Sequence, residues 1–231
     1  MSSESVHVAG VAAVRETVRA ARDLGISILT LYAFSSENWK RPVSETSHLM
    51  GLMRNYLNAE LPRLAESDCR LRVIGRRDRL PPDLVAAIAE VERVTATGTN
   101  FTLRIAVDYS ARHAILAAAA SLGGHKPPDA DAFSRHLSGT GDIHDVDLLI
   151  RTSGEQRLSD FLLWECAQAE LYFTDCLWPD FSASDLTEAL DVFWARDRRF
   201  GGLSEPSRCS VDSGRATTEP SPHPQVSAGV R

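Results

Sequence analysis

The sequence predicts an α/β protein, a single domain with a mostly parallel central sheet flanked by helices. Short apolar runs typical of buried strands alternate with segments whose apolar residues recur at helical spacing. Parallel neighbours need crossover connections, which helices supply, so the alternation favours a parallel sheet. The length of 231 residues, of which 43% are hydrophobic and 24% charged, suits one sizeable core.

The first part of the chain predicts a helix, a strand and a longer helix. Apolar residues follow helical spacing over residues 11–24, and Gly25 stands where a helix commonly ends. Residues 26–34 are a nearly continuous apolar run, as expected of a strand covered on both faces. After a polar loop at residues 35–43, one apolar face predicts a helix over residues 49–61.

The middle of the chain repeats the alternation. Residues 71–74 predict a buried strand, which Gly75 closes, and Pro81 and Pro82 open a helix that reaches Val94. A strand is predicted over residues 101–109 and an alanine-rich helix over residues 112–122.

The last part predicts a short helix at residues 130–137 and buried strands at residues 146–151 and 171–174. Ser182 and Asp185 have the spacing of a capping box and predict a final helix that ends near residue 200. We expect the domain to cover residues 1–202. Residues 203–231, rich in Ser, Pro and Gly without an apolar period, are predicted to be a disordered tail.

Composition argues against several classes of function. The net charge of −6 disfavours a sequence-independent hold on nucleic acid, which needs a basic surface. The four cysteines lack metal-ligand or redox spacing and are expected to be reduced thiols. The first residues lack a signal-peptide pattern and no apolar run is long enough to span a bilayer, so we expect a cytoplasmic protein.

Two loops that follow predicted strands carry unusual chemistry, and ligands of open α/β sheets bind beyond the carboxyl ends of strands. In the first, residues 34–42 (FSSENWKRP), Trp39 offers a flat face to a hydrocarbon and Arg41 can bind phosphate. Asn38 can orient a group that loses a proton. The alternative is that Asn38 and Pro42 only form turns while Trp39 covers the core.

In the second loop, residues 151–159 (RTSGEQRLS), two arginines and Ser159 could enclose a diphosphate. The alternative is an arginine-rich surface turn before an ordinary helix cap. Glu170 enters an apolar strand, where its carboxylate needs either a magnesium ion or an arginine partner. His7 alone predicts no more than a capping or surface residue.

Three segments resemble the signature regions of the cis-prenyltransferases, the undecaprenyl diphosphate synthase family: residues 29–42 (LTLYAFSSENWKRP), 147–161 (DLLIRTSGEQRLSDF) and 170–181 (ELYFTDCLWPDF). The resemblance covers nearly everything from His7 to Gly202. It implies a transferase that condenses isopentenyl diphosphate with an allylic prenyl diphosphate in cis geometry. It also implies magnesium, a homodimer and a hydrophobic tunnel beside the sheet, and a long product would be released at a membrane surface.

The resemblance assigns roles residue by residue. Asn38 matches the family's proton acceptor, Glu170 a magnesium ligand, and His7 the histidine beside the allylic diphosphate. The other substrate-binding positions are Ser35, Ser36, Glu37, Trp39 and Arg41 in the first loop and Arg151, Arg157, Leu158 and Ser159 in the second.

The sequence departs from the family pattern in three places. Residues 1–6 stand where the family has a strand and a metal-binding Asp-Gly-Asn-Gly-Arg-Trp-Ala loop. Arg76 replaces a usual Asp, and residues 108–112 read DYSAR where the family has Asn-Tyr-Gly-Gly-Arg. Two alternatives to the enzyme therefore stay open: a non-catalytic subunit or inactive fragment of such an enzyme, and a generic phosphate-binding module.

Overall fold

Strands and helices alternate around one sheet in the computed structural model, which describes residues 3–123, 129–138, 145–196 and 225–229. The strands are β1 (Ile28–Ser35), β2 (Cys69–Ile74), β3 (Phe101–Tyr109), β4 (Leu148–Arg151), β5 (Glu170–Phe173) and β6 (Gln225–Gly229). The helices are α1 (Ser3–Asp23), α2 (Val43–Glu66), α3 (Pro82–Val94), α4 (Ala111–Ser121), α5 (Ala130–Ser138) and α6 (Ala183–Trp194). The predicted single α/β domain is confirmed, and α1 and α2 are longer than their apolar faces indicated.

All strand pairs in the sheet are parallel, in the order β2-β3-β1-β6-β4-β5. From β1 the chain goes to β2 and β3 on one side, and it then crosses to β4 and β5 on the other. The strands β1, β6 and β4 therefore lie at the topological switch point, where a ligand crevice opens beyond the strand ends.

The two faces of the sheet carry separate hydrophobic clusters. Leu29 and Leu31 of β1 belong to the larger cluster, which α1, α2, α3 and α6 complete. Tyr32, the next residue of the strand, points to the smaller cluster, which includes Phe161 and the start of α4. The alternation of side chains along a strand thus builds a core on both faces.

The strand β6 corrects one prediction, because Gln225–Gly229 lie within the stretch predicted to be a disordered tail. Val226 and Ser227 are each 1% exposed. The Gln225 N–H donates to Asp147 Oδ2 at 3.0 Å. Without this strand, the facing edges of β1 and β4 would bury unpaired backbone groups, which is costly. The other residues of the predicted tail, and the predicted end of the last helix near residue 200, lie outside the described residues.

The described cysteines Cys69, Cys166 and Cys176 are free thiols, as predicted, and Cys209 lies outside the described residues. Among the described helices, none combines the length and the apolar content that crossing a bilayer requires.

Candidate active site

The first loop begins as a 3₁₀ helix, Ser36–Lys40, directly after β1. The Ser35 N–H donates to Asn38 Oδ1 at 2.9 Å, and the Arg41 N–H donates to the Asn38 carbonyl oxygen at 3.0 Å. Asn38 therefore does form a turn, as the alternative interpretation predicted. Its side-chain oxygen already accepts one hydrogen bond, so the role of proton acceptor stays a prediction.

Trp39 is half-buried and held by an aromatic ring and a cation. Its ring packs edge-on against Phe34 with the centroids 5.1 Å apart, and the Arg79 guanidinium lies 5.8 Å from its ring centroid. The indole also packs against the larger hydrophobic cluster. Its Nε1 is buried and has no hydrogen-bond partner among the described residues.

A carboxylate that sequence reasoning missed, Asp108, fixes this loop to β3. Asp108 is fully buried, and its Oδ1 accepts a hydrogen bond from Ser36 Oγ at 2.9 Å. Arg79 binds both carboxylate oxygens, with its Nε 2.9 Å from Oδ2. Asp108 has a φ of +49°, which is uncommon for a residue with a side chain. An acid at the end of an apolar strand was the available signal, but the sequence does not show which arginine faces it.

The remaining charged residues of the first loop form exposed ion pairs. Glu37 pairs with Lys40, whose hydrogen bond and charge lower the Glu37 pKa. Arg41 Nη1 lies 3.0 Å from Glu45 Oε1, and its side chain is 42% exposed. Exposed pairs of this kind contribute little stability, so a phosphate could replace Glu45 as the partner of Arg41 at small cost.

The second loop is fixed to the segment that follows β5. The Ser153 N–H donates to the Cys176 carbonyl oxygen at 2.8 Å, and the Gly154 N–H donates to the Thr174 carbonyl oxygen at 2.9 Å. Arg151, at the end of β4, is 3% exposed. Gly154 has a φ of +69°, and a Cβ there would lie 2.9 Å from an Asp175 oxygen. A side chain at this position would therefore be strained and would have to displace the Asp175 carboxylate.

Backbone strain is concentrated in the same loop. Besides Asp108, the described non-glycine residues with positive φ are Ser153 (69°), Ser159 (53°), Asp160 (61°) and Leu162 (45°). Such strain persists only where the surroundings impose it, and it is common at functional sites. Here the Tyr32 hydroxyl donates to the Ser159 carbonyl oxygen at 3.4 Å, and the Tyr32 ring stacks on Phe161 at 4.4 Å.

The other predicted residues of this loop are placed differently. Leu158 packs against the smaller hydrophobic cluster. Arg157 is 55% exposed and pairs with Glu155.

The fold brings the two loops to the same end of the sheet, beyond the carboxyl ends of its strands. Tyr32 of β1 and Arg151 of β4 both pair with Gly229 of β6, so one strand separates them. Two strand spacings place these two residues about 10 Å apart, and β1 continues for three more residues, to Ser35. A ligand bound at this end can therefore contact both loops.

Glu170 is a predicted site residue that the structure does not bring into this group. Glu170 begins β5 and pairs with Leu148, whereas Arg151 pairs with Phe173, at the other end of the same two strands. The Glu170 carboxylate accepts a hydrogen bond from Arg196 Nη1 at 2.7 Å, so it has the arginine partner that the sequence allowed. The side chain of His7 lies outside the described part of α1.

The described side chains form no metal cluster of three or more His, Cys, Asp or Glu residues. Magnesium usually needs one or two carboxylates together with water and phosphate oxygens, and Glu170 is occupied by Arg196. The metal-binding role of Glu170 stays a prediction.

Comparison with known proteins gives one consistent result. A prenyltransferase family model described as "Putative undecaprenyl diphosphate synthase" matches residues 1–201. The chain is 56% identical over 197 residues to isoprenyl transferase 1 of Bradyrhizobium diazoefficiens, covering 85% of this chain and 80% of that protein. It is 43% identical over 215 residues to a ditrans,polycis-undecaprenyl-diphosphate synthase ((2E,6E)-farnesyl-diphosphate specific) of Vibrio cholerae, covering 90% and 86%.

Solved structures agree with the sequence comparison. The fold matches lavandulyl diphosphate synthase from Lavandula x intermedia in complex with dimethylallyl diphosphate, with a TM-score of 0.80 and 34% identity, over 84% of this chain and 87% of that one. It also matches a probable undecaprenyl diphosphate synthase from Campylobacter jejuni, with a TM-score of 0.76 and 32% identity, over 84% and 92%. The resemblance noted in the sequence is confirmed, and the chain belongs to the undecaprenyl diphosphate synthase family of isoprenyl transferases.

Proposed function

We propose that the chain transfers an allylic prenyl group to isopentenyl diphosphate in cis geometry and so elongates a polyprenyl diphosphate. One observation carries the proposal: two loops with diphosphate-binding and hydrocarbon-binding residues flank the switch point at one end of the sheet. Relatives named as isoprenyl transferases support it. The Vibrio cholerae relative is named as specific for farnesyl diphosphate, which makes that compound the first primer to test.

In this proposal each loop has a separate task. Arg151, Arg157 and Ser159 bind the diphosphate of isopentenyl diphosphate through guanidinium groups and a hydroxyl. Arg41 and the polar residues Ser35, Ser36 and Glu37 lie at the diphosphate end of the first loop, and Trp39 lines the path of the hydrocarbon chain in the predicted tunnel.

In this proposal Asn38 accepts or directs the proton that leaves the extended product. Its Oδ1 is fixed by the Ser35 N–H, so the side chain keeps one orientation. That fixed orientation suits a group that accepts or directs a proton. Magnesium belongs to the proposal through the family, with Glu170 as its ligand and His7 beside the allylic diphosphate.

We also propose a homodimer that forms along β5. This edge strand exposes Leu171 and Phe173, each 36% exposed, beside Leu177 at 56% and Trp194 at 52%. An apolar edge strand with unpaired backbone groups is a ready surface for a second chain. The protein is proposed to act in the cytoplasm and to release its product at a membrane surface, and the net charge of −6 speaks against a nucleic-acid partner.

The experiment is a transfer assay with the purified chain, farnesyl diphosphate, labelled isopentenyl diphosphate and magnesium. We expect butanol-extractable label whose chain length thin-layer chromatography defines, and loss of that label when the primer or the metal is omitted. A folded chain that incorporates no label would favour the non-catalytic alternative. Binding of inorganic phosphate without any preference for prenyl diphosphates would favour the generic phosphate-binding module.

A further inference from the structure

A cavity lined by several arginines lies on the face of the sheet that α4 and α5 cover, and it extends to Asp108 beside the first loop. Its volume is about 660 Å³. Its lining includes Arg72 of β2 and Arg104 of β3. These two residues are in register on neighbouring parallel strands, so their side chains leave the sheet side by side on the same face.

This arrangement of arginines is unfavourable without a counter-charge. Like charges directly opposite each other on neighbouring strands destabilise a sheet. Arg104 is only 5% exposed, and burial lowers the pKa of its guanidinium. Among the described residues, no salt bridge within 4.0 Å joins Arg72 or Arg104 to a carboxylate. A buried guanidinium of this kind normally has a close anionic partner.

The neighbouring carboxylates do not supply a close counter-charge to Arg72 and Arg104. Arg77, also at the cavity, is already neutralised by Glu92, with Nη2 at 2.7 and 2.8 Å from the two carboxylate oxygens. Glu165 acts on Arg104 only through longer-range electrostatics. Burial raises the pKa of the Glu165 carboxyl, and its Oε2 has no hydrogen-bond partner among the described residues. Glu165 therefore does not form a close ion pair with Arg104.

We propose that this cavity binds a phosphate-type oxyanion between Arg72 and Arg104. Two adjacent guanidinium groups match the geometry of phosphate oxygens, and a bound anion would remove their mutual repulsion. The volume exceeds that of one phosphate group, and Ala114, Ala117 and Ala118 of α4 form an apolar wall. A phosphorylated small molecule with a short apolar portion therefore fits the site.

The test counts binding sites by isothermal titration calorimetry with inorganic diphosphate and, separately, inorganic phosphate. Besides any binding at the first loop, we expect the wild-type chain to bind diphosphate at two sites, the cavity and the second loop. Arg72→Gln should weaken one of the two sites at least tenfold and leave the other unchanged. Arg157→Gln should affect only the other site, and the exposed control Arg93→Gln should affect neither.

The outcomes separate this proposal from the proposed function. If Arg72→Gln leaves both sites unchanged, or if only one site is found and Arg157→Gln abolishes it, the cavity does not bind the anion. If Arg157→Gln has no effect while Arg72→Gln removes a site, the proposed function is at fault and the cavity site stands. Glu165→Gln provides a check in the opposite direction, because removing the carboxylate should tighten binding at the cavity several-fold.

Discussion

At the residue scale, the buried carboxylate of Asp108 joins segments that are far apart in the chain. It accepts hydrogen bonds from Ser36 in the first loop and from Arg79 beyond β2, and it is the penultimate residue of β3. Arg79 in turn lies over the Trp39 ring. The position of the proposed hydrocarbon-binding indole therefore depends on this one carboxylate.

Replacing Asp108 with alanine should destabilise the protein and impair the first loop. Removing one partner of a buried ion pair costs about 3 kcal/mol, somewhat less here because Arg79 is 36% exposed. Urea unfolding measures this loss, and kcat/KM for prenyl transfer should fall at least tenfold. The control is Asp78→Ala, which breaks the exposed Arg76 pair and should cost much less stability than Asp108→Ala. Equal costs for the two variants would show that Asp108 does not hold the loop.

Glu165 gives the protein a pH dependence with a defined sign. Burial raises the pKa of its carboxyl above the ordinary 4.5, so the group contributes stability that is fully present below that value. This contribution is lost as the pH rises through the raised pKa. Glu165→Gln should therefore gain stability over the wild type at about pH 8 and match it more closely at about pH 5. Urea unfolding midpoints at the two pH values measure this stability difference. A Glu165→Gln variant that is less stable than the wild type at the higher pH would contradict the prediction.

At the element scale, the sequence patterns account for most of the sheet and leave one strand unexplained. Continuous apolar runs predicted β1, β3 and β4, because strands buried on both faces leave that signature. The strand β6 has the sequence QVSAG, which is too short and too rich in small residues to distinguish itself within a Ser- and Pro-rich stretch. Only its place between β1 and β4 makes it a strand.

Part of the candidate site could also be predicted from the sequence. Loops after β1 and β4 could be chosen because ligands bind beyond strand ends, and the fold places both there. The partner of Glu170 could not be chosen, since Arg196 is 26 residues away in sequence. The network of Asp108 also depends on contacts between distant segments, which residue patterns do not encode.

Point variants test whether β6 belongs to the sheet. Val226→Asp places a charge at a position that is 1% exposed, and it should cost more than about 3 kcal/mol. Gln225→Ala should cost less than about 1 kcal/mol, because the described hydrogen bond of this residue to Asp147 comes from its backbone N–H. Urea unfolding compares both with the wild type. Wild-type stability for Val226→Asp would mean that another segment, or none, fills the centre of the sheet.

At the scale of the whole molecule, the apolar edge at β5 predicts association of two chains. Phe173→Lys places a charge at the last residue of this edge strand, where Phe173 is 36% exposed. The variant should be monomeric by analytical ultracentrifugation at concentrations where the wild type is a dimer, because burying the ammonium group is costly. Leu116→Lys, on α4 and 70% exposed, is the matched control and should leave the dimer intact. Dissociation by the control, or persistence of the Phe173→Lys dimer, would place the interface elsewhere.

The initial rate of label transfer, measured against isopentenyl diphosphate concentration, tests the central claim most directly. The wild type, Arg157→Gln and the control Arg93→Gln are compared, since both arginines lie in exposed ion pairs whose loss leaves stability nearly unchanged. Losing a charge-assisted phosphate contact costs about 1.5–3 kcal/mol. The account predicts that Arg157→Gln raises KM for isopentenyl diphosphate about 10- to 100-fold, while Arg93→Gln retains the wild-type value. An unchanged KM for Arg157→Gln in an active enzyme would show that the loop after β4 does not bind this substrate.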